Sequence, residues 1–148
     1  MNLYRTAILA ALLLLAPAAL LAQDDIARHR SCSECGMDRK QYGYSRMLIE
    51  YPDGAEVGTC SLHCAAEVLE RTKDKSPKAV RAADRDSREL VAAEQAAWVV
   101  GGKKKGVMTE APKWAFGTKG AAEAFVKANG GKIVPWAEAL EAAKKETH

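Results

Sequence analysis

Two short clusters hold all four cysteines of the chain, together with a methionine and a histidine. The first cluster reads Cys32-Ser-Glu-Cys35-Gly-Met37, and the second reads Cys60-Ser-Leu-His63-Cys64. Thiolate, thioether and imidazole groups form a soft ligand set, which favours Cu(I), Zn(II) or an iron–sulfur centre over Mg(II) or Ca(II). The chemistry that these residue types predict is the binding of a soft metal ion.

The spacing of the second cluster predicts that its two thiols face away from the core side of a helix. Ser61 is a common N-cap residue, and apolar residues then recur at helical spacing, as in Leu62, Ala66 and Leu69. Cys60 and Cys64 are four residues apart, so they share a face roughly opposite that apolar stripe. Cysteines that only filled the core would lie on the stripe. The helix amino terminus also favours thiolate over thiol.

Other interpretations of the four cysteines remain open. Two structural disulfides are a reasonable alternative in an exported protein. A four-cysteine zinc site is another, because the two pairs resemble a zinc ribbon with a long spacer. A thiol–disulfide oxidoreductase is less favoured, since the Cys-x-x-Cys pair lacks a preceding strand and an aromatic active-site turn.

The amino terminus has the pattern of a secretory signal peptide. Arg5 precedes an apolar stretch over residues 7–22, and polar sequence begins at Gln23. We predict a signal peptide over residues 1–22, cut after Ala22 or alternatively after Ala18, and hence a periplasmic protein. If the apolar stretch is not cleaved, it would anchor the protein in the membrane. We expect no lipid anchor, because no lipoprotein cysteine follows this stretch. Export places the thiols in an oxidising compartment.

Composition excludes several functions. The formal charge is +3 over 148 residues, and no basic stripe with interleaved aromatic residues is present, so no nucleic-acid partner is expected. Charged residues at 28% and hydrophobic residues at 48% are ordinary for a globular chain. Neither a catalytic acid–base pair nor a phosphate loop is recognisable. We therefore predict that the protein is not an enzyme.

The remaining pattern predicts an α+β fold of two small homologous ββαβ units packed together, plus a short C-terminal helix. Residues 60–69 align without a gap with residues 116–125, and both segments carry Ala-Ala-Glu on a capped helix that follows a strand. We expect a mobile lead-in over residues 23–31, a first unit over 32–86 that carries the cysteine pairs, and a second unit over 87–148.

The predicted elements follow the same repeat. Each unit contains two strands, a helix and a third strand. The first unit is predicted to use Tyr44–Tyr51, Ala55–Thr59, a helix after Ser61, and Ala79–Ala83. The second is predicted to use Ala97–Val100, extended pieces at Val107-Met108 and Trp114–Phe116, a helix from Thr118 to about Ala128, Lys132–Val134, and a terminal helix from Trp136.

A set of short motifs resembles the NosL family in order and spacing, from about Cys32 to Leu140. The motifs are Cys35-Gly-Met37, Thr59-Cys-Ser-Leu-His-Cys-Ala-Ala66, Ala83-Asp84, Gly106-Val-Met-Thr109, Ala115-Phe116 and Asn129-Gly-Gly131. Members of this family are exported accessory proteins that supply Cu(I) for assembling the copper centres of nitrous oxide reductase. The resemblance implies two ββαβ units, a fold similar to part of organomercurial lyase.

The resemblance also implies a ligand set and a partner. Copper ligation by a cysteine and methionines corresponds here to Cys35, Met37 and Met108. Cys32, Cys60, Cys64 and His63 would complete that Cu(I) site or form a second one, with zinc as the alternative ion. The implied partner is apo nitrous oxide reductase or its membrane maturation machinery. Many family members are lipoproteins, and this chain departs from them in lacking the required cysteine.

Overall fold

Short strands and helices alternate along residues 24–146, the part of the chain that the structure, a computed structural model, describes. In order the elements are α1 (Asp24–Arg28), β1 (Met47–Glu50), β2 (Glu56–Thr59), α2 (Leu62–Arg71), β3 (Ala79–Ala83), β4 (Leu90–Ala92), β5 (Ala97–Val100), β6 (Lys113–Phe116), α3 (Lys119–Asn129), β7 (Lys132–Val134) and α4 (Trp136–Lys144). The predicted α+β fold class, with its C-terminal helix, is confirmed.

The strands form two antiparallel sheets, one in each half of the chain. The first sheet has the order β2-β1-β3-β4 and the second has the order β6-β5-β7. The turn at Gly54, whose left-handed φ of 85° suits glycine, closes the β1–β2 hairpin. The two halves touch through a bridge between Asp84 and Ala115 and share one apolar core that contains both Met47 and Trp98.

Local sequence signals set the ends of the helices. Thr118 caps α3 by accepting a hydrogen bond from Ala121 N, and Gly130 ends that helix with a φ of 76°. Ser61 occupies the N-cap of α2 in extended conformation. In the cluster that includes Ala65 and Val68, α2 packs its apolar side against the sheets. Cys64, on the same helix, belongs to a separate buried cluster.

Three local predictions differ from the structure. Strand β1 begins at Met47 rather than Tyr44, because residues 42–45 form a turn in which Ser45 N donates to Tyr42 O. Val107 and Met108 lie in a bend rather than in extended chain. Strand β4 was not predicted, and it pairs with β3 although it follows residue 86. The division into units at 86/87 stays a prediction.

From residue 24 onwards, the segment predicted to be a mobile lead-in is instead part of the fold. Residues 24–28 form α1, and Asp25 and Ile26 are buried. The Asp25 carboxylate lies between two arginines with fully buried side chains, 2.8 Å from Arg39 NH2 and 2.9 Å from Arg46 NH2. The composition of this segment predicted a mobile tail. Its ion pairs with arginines further along the chain hold it against the fold instead.

The buried arginines connect this carboxylate to backbone segments on both sides of the first cysteine cluster and just before the second. Arg39 Nε donates to Thr59 O at 3.1 Å, and its NH1 donates to His29 O at 2.6 Å. Arg46 NH1 donates to the carbonyls of Gly43 and Arg88. Burial alone would raise the pKa of Asp25, but its hydrogen bonds and charge contacts with the arginines lower that pKa overall.

We expect Asp25→Asn to destabilise the fold by about 3 to 5 kcal/mol, because it removes the carboxylate charge that pairs with two buried guanidinium groups. The free energy of unfolding from urea titration measures this loss. Asp86→Asn is the matched control, since that carboxylate forms an exposed pair with Arg85 and is worth less than about 1 kcal/mol. Equal losses in the two variants would contradict the role assigned to Asp25.

Candidate metal centre

The first cysteine cluster is a tight loop held by its own backbone. Cys32 N donates to Met37 O at 2.8 Å, and Gly36 N donates to Cys32 O at 3.0 Å. Gly36 adopts a φ of 75°, a left-handed conformation in which a side chain would be strained. Ser33 N donates to Gly58 O at 3.0 Å, which fastens the loop to β2. The loop is thus placed beside the strand that leads into the second cluster.

The second cluster lies at the junction of β2 and α2. Cys60 directly follows β2, and its carbonyl accepts a 2.8 Å hydrogen bond from Ser45 Oγ. Cys64 lies near the start of α2 and is buried in a cluster with Cys32, Cys60 and Val107, separate from the main apolar core. Both thiols therefore project towards the first loop.

The four thiols converge on one point. The sulfur atoms of Cys32, Cys35, Cys60 and Cys64 all lie within 4.8 Å of one another. Cys35 Sγ is 3.5 Å from Cys60 Sγ, which in turn is 3.8 Å from Cys64 Sγ. A tetrahedral ion with metal–sulfur bonds of about 2.3 Å separates its sulfur ligands by about 3.8 Å. The cluster therefore has the dimensions of a site for one thiolate-bound ion.

The thiols are free, and they differ in their access to solvent. Cys32, Cys60 and Cys64 are each at most 3% exposed, whereas Cys35 is only partly buried. None of the four sulfurs is crosslinked, so the structure does not contain the two disulfides considered as an alternative. Cys35 is the member of the cluster that a solute can contact.

Hydrogen bonds between the thiols shift their pKa values in opposite directions. Contacts from Cys60 and Cys64 hold the pKa of Cys32 far below its usual range. The contact with Cys32 raises the pKa of Cys60 to about 12, with burial adding to the shift, and contacts with Cys32 and Cys60 raise the pKa of Cys64. One buried thiolate is therefore stabilised by neighbouring S–H donors. A metal ion that recruits the other sulfurs must displace their protons.

Apolar and aromatic side chains surround the thiols. Val107 is buried against the cluster, and Met37, Tyr42 and Tyr44 pack around it as partly buried residues. The rings of Tyr42 and Tyr44 are 6.4 Å apart. The structure therefore brings Met37 to the thiols, and the surrounding apolar atoms limit the access of water to most of the cluster.

His63 and Met108 lie in a cleft beside the thiol cluster. Its volume is about 500 Å³, and both residues line it together with residues near the C-terminal end of the described chain, including Glu146. His63 directly precedes Cys64, and Met108 directly follows Val107, so the cleft adjoins the cluster. Met108 is 44% exposed and adopts a left-handed φ of 54°.

The loop that carries Met108 is tied by charge to Glu146, which follows the end of α4. Lys113 Nζ, almost fully buried, donates to Thr109 Oγ1 at 2.9 Å and to Glu146 Oε1 at 2.9 Å. The Thr109 hydroxyl also donates to Glu146. His63 Nδ1 is buried without a hydrogen-bond partner among residues 24–146 and lies 4.0 Å from Glu146 Oε2. Sequence inspection gave no signal for Glu146 or Lys113.

The sequence and the structure agree with one known family. The NosL family model matches residues 23–143. The chain belongs to the NosL family. The crystal structure of the copper chaperone NosL from Shewanella denitrificans superposes on this chain with a TM-score of 0.60 and 24% sequence identity. The alignment covers 74% of this chain and 89% of that one, and no curated protein sequence matches.

Family membership confirms the resemblance from which the site residues were carried over, and it confirms that the chain is not an enzyme. The assignment of ligands among the seven predicted residues stays a prediction. The predicted signal peptide over residues 1–22 lies outside the described residues. Within residues 24–146, no helix is long and apolar enough to cross a membrane.

We expect Cys35 to be the first thiol alkylated when the reduced, metal-free protein meets a limiting amount of iodoacetamide, because the other three sulfurs are buried. Mass spectrometry of the tryptic peptide 31–39 identifies the modified residue, with Cys32 in the same peptide as an internal comparison. Unfolding in urea should make all four thiols react alike. Faster alkylation of Cys32 in the native protein would contradict the burial order.

Proposed function

We propose that this protein is an exported Cu(I) carrier, a metallochaperone of the NosL family that receives copper and passes it to a partner. The observation that carries the proposal is the convergence of four thiols within 4.8 Å around a space suited to one soft ion. Family membership supports copper as the ion, because the similar solved structure is that of a copper chaperone.

Ligand chemistry favours transfer over permanent storage. Cu(I) is stable with two or three soft ligands, so it can gain a partner's ligand before it loses one of its own. Cys35 is the partly exposed thiol, which makes it the sulfur at which such an exchange begins. Met37 packs against the same cluster and supplies a thioether that does not titrate with pH. We assign Cys35 and Met37 to the outer edge of the site.

The cleft extends this assignment to the two remaining predicted ligands. Met108 offers an exposed thioether, and His63 offers a ring nitrogen without a hydrogen-bond partner among the described residues. In this proposal Met108 and His63 contact the ion as it enters or leaves the thiol cluster. The ties from Lys113 and Glu146 keep the Met108 loop in position during transfer.

The place of action and the recipient follow from the sequence and the family. The apolar amino terminus supports export to the periplasm. Apo nitrous oxide reductase or its membrane maturation machinery is the proposed recipient, which extends the family resemblance to this chain. Retention of the signal segment would add a membrane tether.

A zinc-stabilised structural module is the second candidate, because the same geometry also suits a closed Zn(Cys)₄ site. Three of the four sulfurs are buried, and structural zinc is commonly held by four thiolates. Such a site would exchange its metal slowly and would contribute to folding. The two functions therefore differ in the identity of the bound ion and in the stability of the metal-free protein.

We expect the reduced protein to bind about one Cu(I) per chain in an anaerobic titration against a chromophoric chelator, as one thiol cluster implies. Cys35→Ser should weaken Cu(I) binding by more than about 100-fold, because loss of a direct ligand exceeds the usual cost of losing an outer-shell partner. Ser33→Ala is the matched control in the same loop and should bind like the wild type. Unchanged affinity in Cys35→Ser would contradict the carrier proposal.

We expect the metal-free protein to remain folded after treatment with EDTA, because its main core of buried side chains lies apart from the cysteines. Circular dichroism and thermal unfolding measure this directly. Zinc in the untreated protein, together with unfolding on chelation, would instead support the structural-module function. Metal analysis of the same preparation identifies the ion.

A further inference from the structure

Two of the four free thiols lie close enough to react with each other. Cys35 Sγ and Cys60 Sγ are 3.5 Å apart, against about 2.05 Å in a disulfide, so about 1.5 Å of movement closes the bond. Cys35 lies on a loop next to Gly36, while Cys60 lies at the fixed end of β2. The required movement is therefore local to the first loop.

We propose that Cys35 and Cys60 form a reversible disulfide that closes the metal site, and that a thiol–disulfide oxidoreductase or other dithiol reductant must open it before loading. This inference rests on the proposed metal-binding function. It adds a modification site, a class of reaction that must precede copper uptake, and a class of partner. An oxidising compartment supplies the conditions in which such a step is needed.

The reaction balances as two successive thiol–disulfide exchanges. The Cys35 thiolate attacks an external disulfide, forms a mixed disulfide and releases one thiol. Cys60 then attacks the sulfur of Cys35, which forms the Cys35–Cys60 bond and expels the second thiol. Two electrons pass from the protein dithiol to the external disulfide, and the two cysteine protons leave with the released thiols. Reduction by a dithiol partner reverses the same steps.

The geometry favours this pair over the two pairs that the sequence suggests. Cys32 and Cys35 form a Cys-x-x-Cys motif, yet Cys32 is buried and its sulfur contacts Cys60 and Cys64. Cys64 is fully buried and is 3.8 Å from Cys60. Because Cys35 is the thiol that an external oxidant reaches, its nearest hydrogen-bonded thiol, Cys60, resolves the mixed disulfide.

Closure of this bond would remove two of the four thiol ligands. Cys32 and Cys64 would keep their thiols, but both are buried. The site would no longer have the Cys35 thiol, through which it contacts solvent and a partner. A disulfide sulfur is also a far weaker ligand than a thiolate. Oxidation therefore switches the centre from uptake to exclusion of copper.

Tryptic peptides distinguish the possible disulfides in one measurement. Cys32 and Cys35 both lie in the peptide of residues 31–39, and Cys60 and Cys64 both lie in the peptide of residues 47–71. We expect limiting glutathione disulfide, added to the reduced metal-free protein, to link these two peptides. Disulfides confined within either peptide, or no disulfide at all, would overturn the proposal.

Serine variants identify the cysteines within the linked peptides. Cys32→Ser and Cys64→Ser should still link the peptides, whereas Cys35→Ser and Cys60→Ser should link them at least about 10-fold more slowly, because each loses a member of the thiol pair that lies 3.5 Å apart. Circular dichroism before oxidation verifies that each variant is folded. Equal linking rates in all four variants would also overturn the proposal.

A copper measurement on the same samples separates this inference from the proposed function. Wild-type protein linked by glutathione disulfide should take up at least about 10-fold less Cu(I) than reduced protein, and dithiothreitol should restore uptake. If the reduced protein takes up no Cu(I), the proposed function fails while the peptide map still tests the disulfide. If linked and reduced protein bind equally, the proposed closure of the site is wrong.

Discussion

One buried carboxylate between two buried arginines is the constraint on which the placement of the cysteines depends. Asp25 comes from α1, Arg39 follows the first cysteine loop, and Arg46 directly precedes β1. Arg39 also donates to the carbonyl of Thr59, the residue just before Cys60. The network thus connects the chain segments next to both cysteine clusters to the Asp25 carboxylate. Burying these charges is costly, and their mutual pairing and backbone hydrogen bonds compensate for that cost.

The thiol cluster combines two properties that usually oppose each other. Three buried sulfurs provide a low-polarity site in which metal–thiolate bonds are strong, while the partly exposed Cys35 provides access for exchange. In the metal-free protein the thiols hydrogen-bond to one another, so the empty cluster does not need several buried negative charges. The same short distances that suit an ion also suit a disulfide, which connects the centre's metal chemistry to its redox chemistry.

The second half of the chain explains why the repeat yields only one thiol cluster among the described residues. Phe116 aligns with Cys60 and is fully buried against Trp114 and Phe125, so that position serves the core. Gly120 aligns with Cys64, and a side chain built there would meet nothing within 4 Å. Among residues 24–146, therefore, no atom is in van der Waals contact with that position. In the first half of the chain, the loop Cys32–Met37 and the junction of β2 with α2 each supply two of the four thiols.

The sequence by itself determined the soft ligand types, the α+β fold and the main strands and helices, because these follow from residue chemistry, periodicity and caps such as Thr118. It also indicated that Cys60 and Cys64 do not belong to the main apolar core, and the structure places both in a separate buried cluster. Tertiary structure alone decided that all four thiols meet, that α1 is ordered by Asp25, and that Met108 shares a cleft with His63. These features depend on contacts between residues far apart in the chain. Local patterns carry no information about such contacts, because they arise only when burial, charge pairing and sheet register are satisfied together.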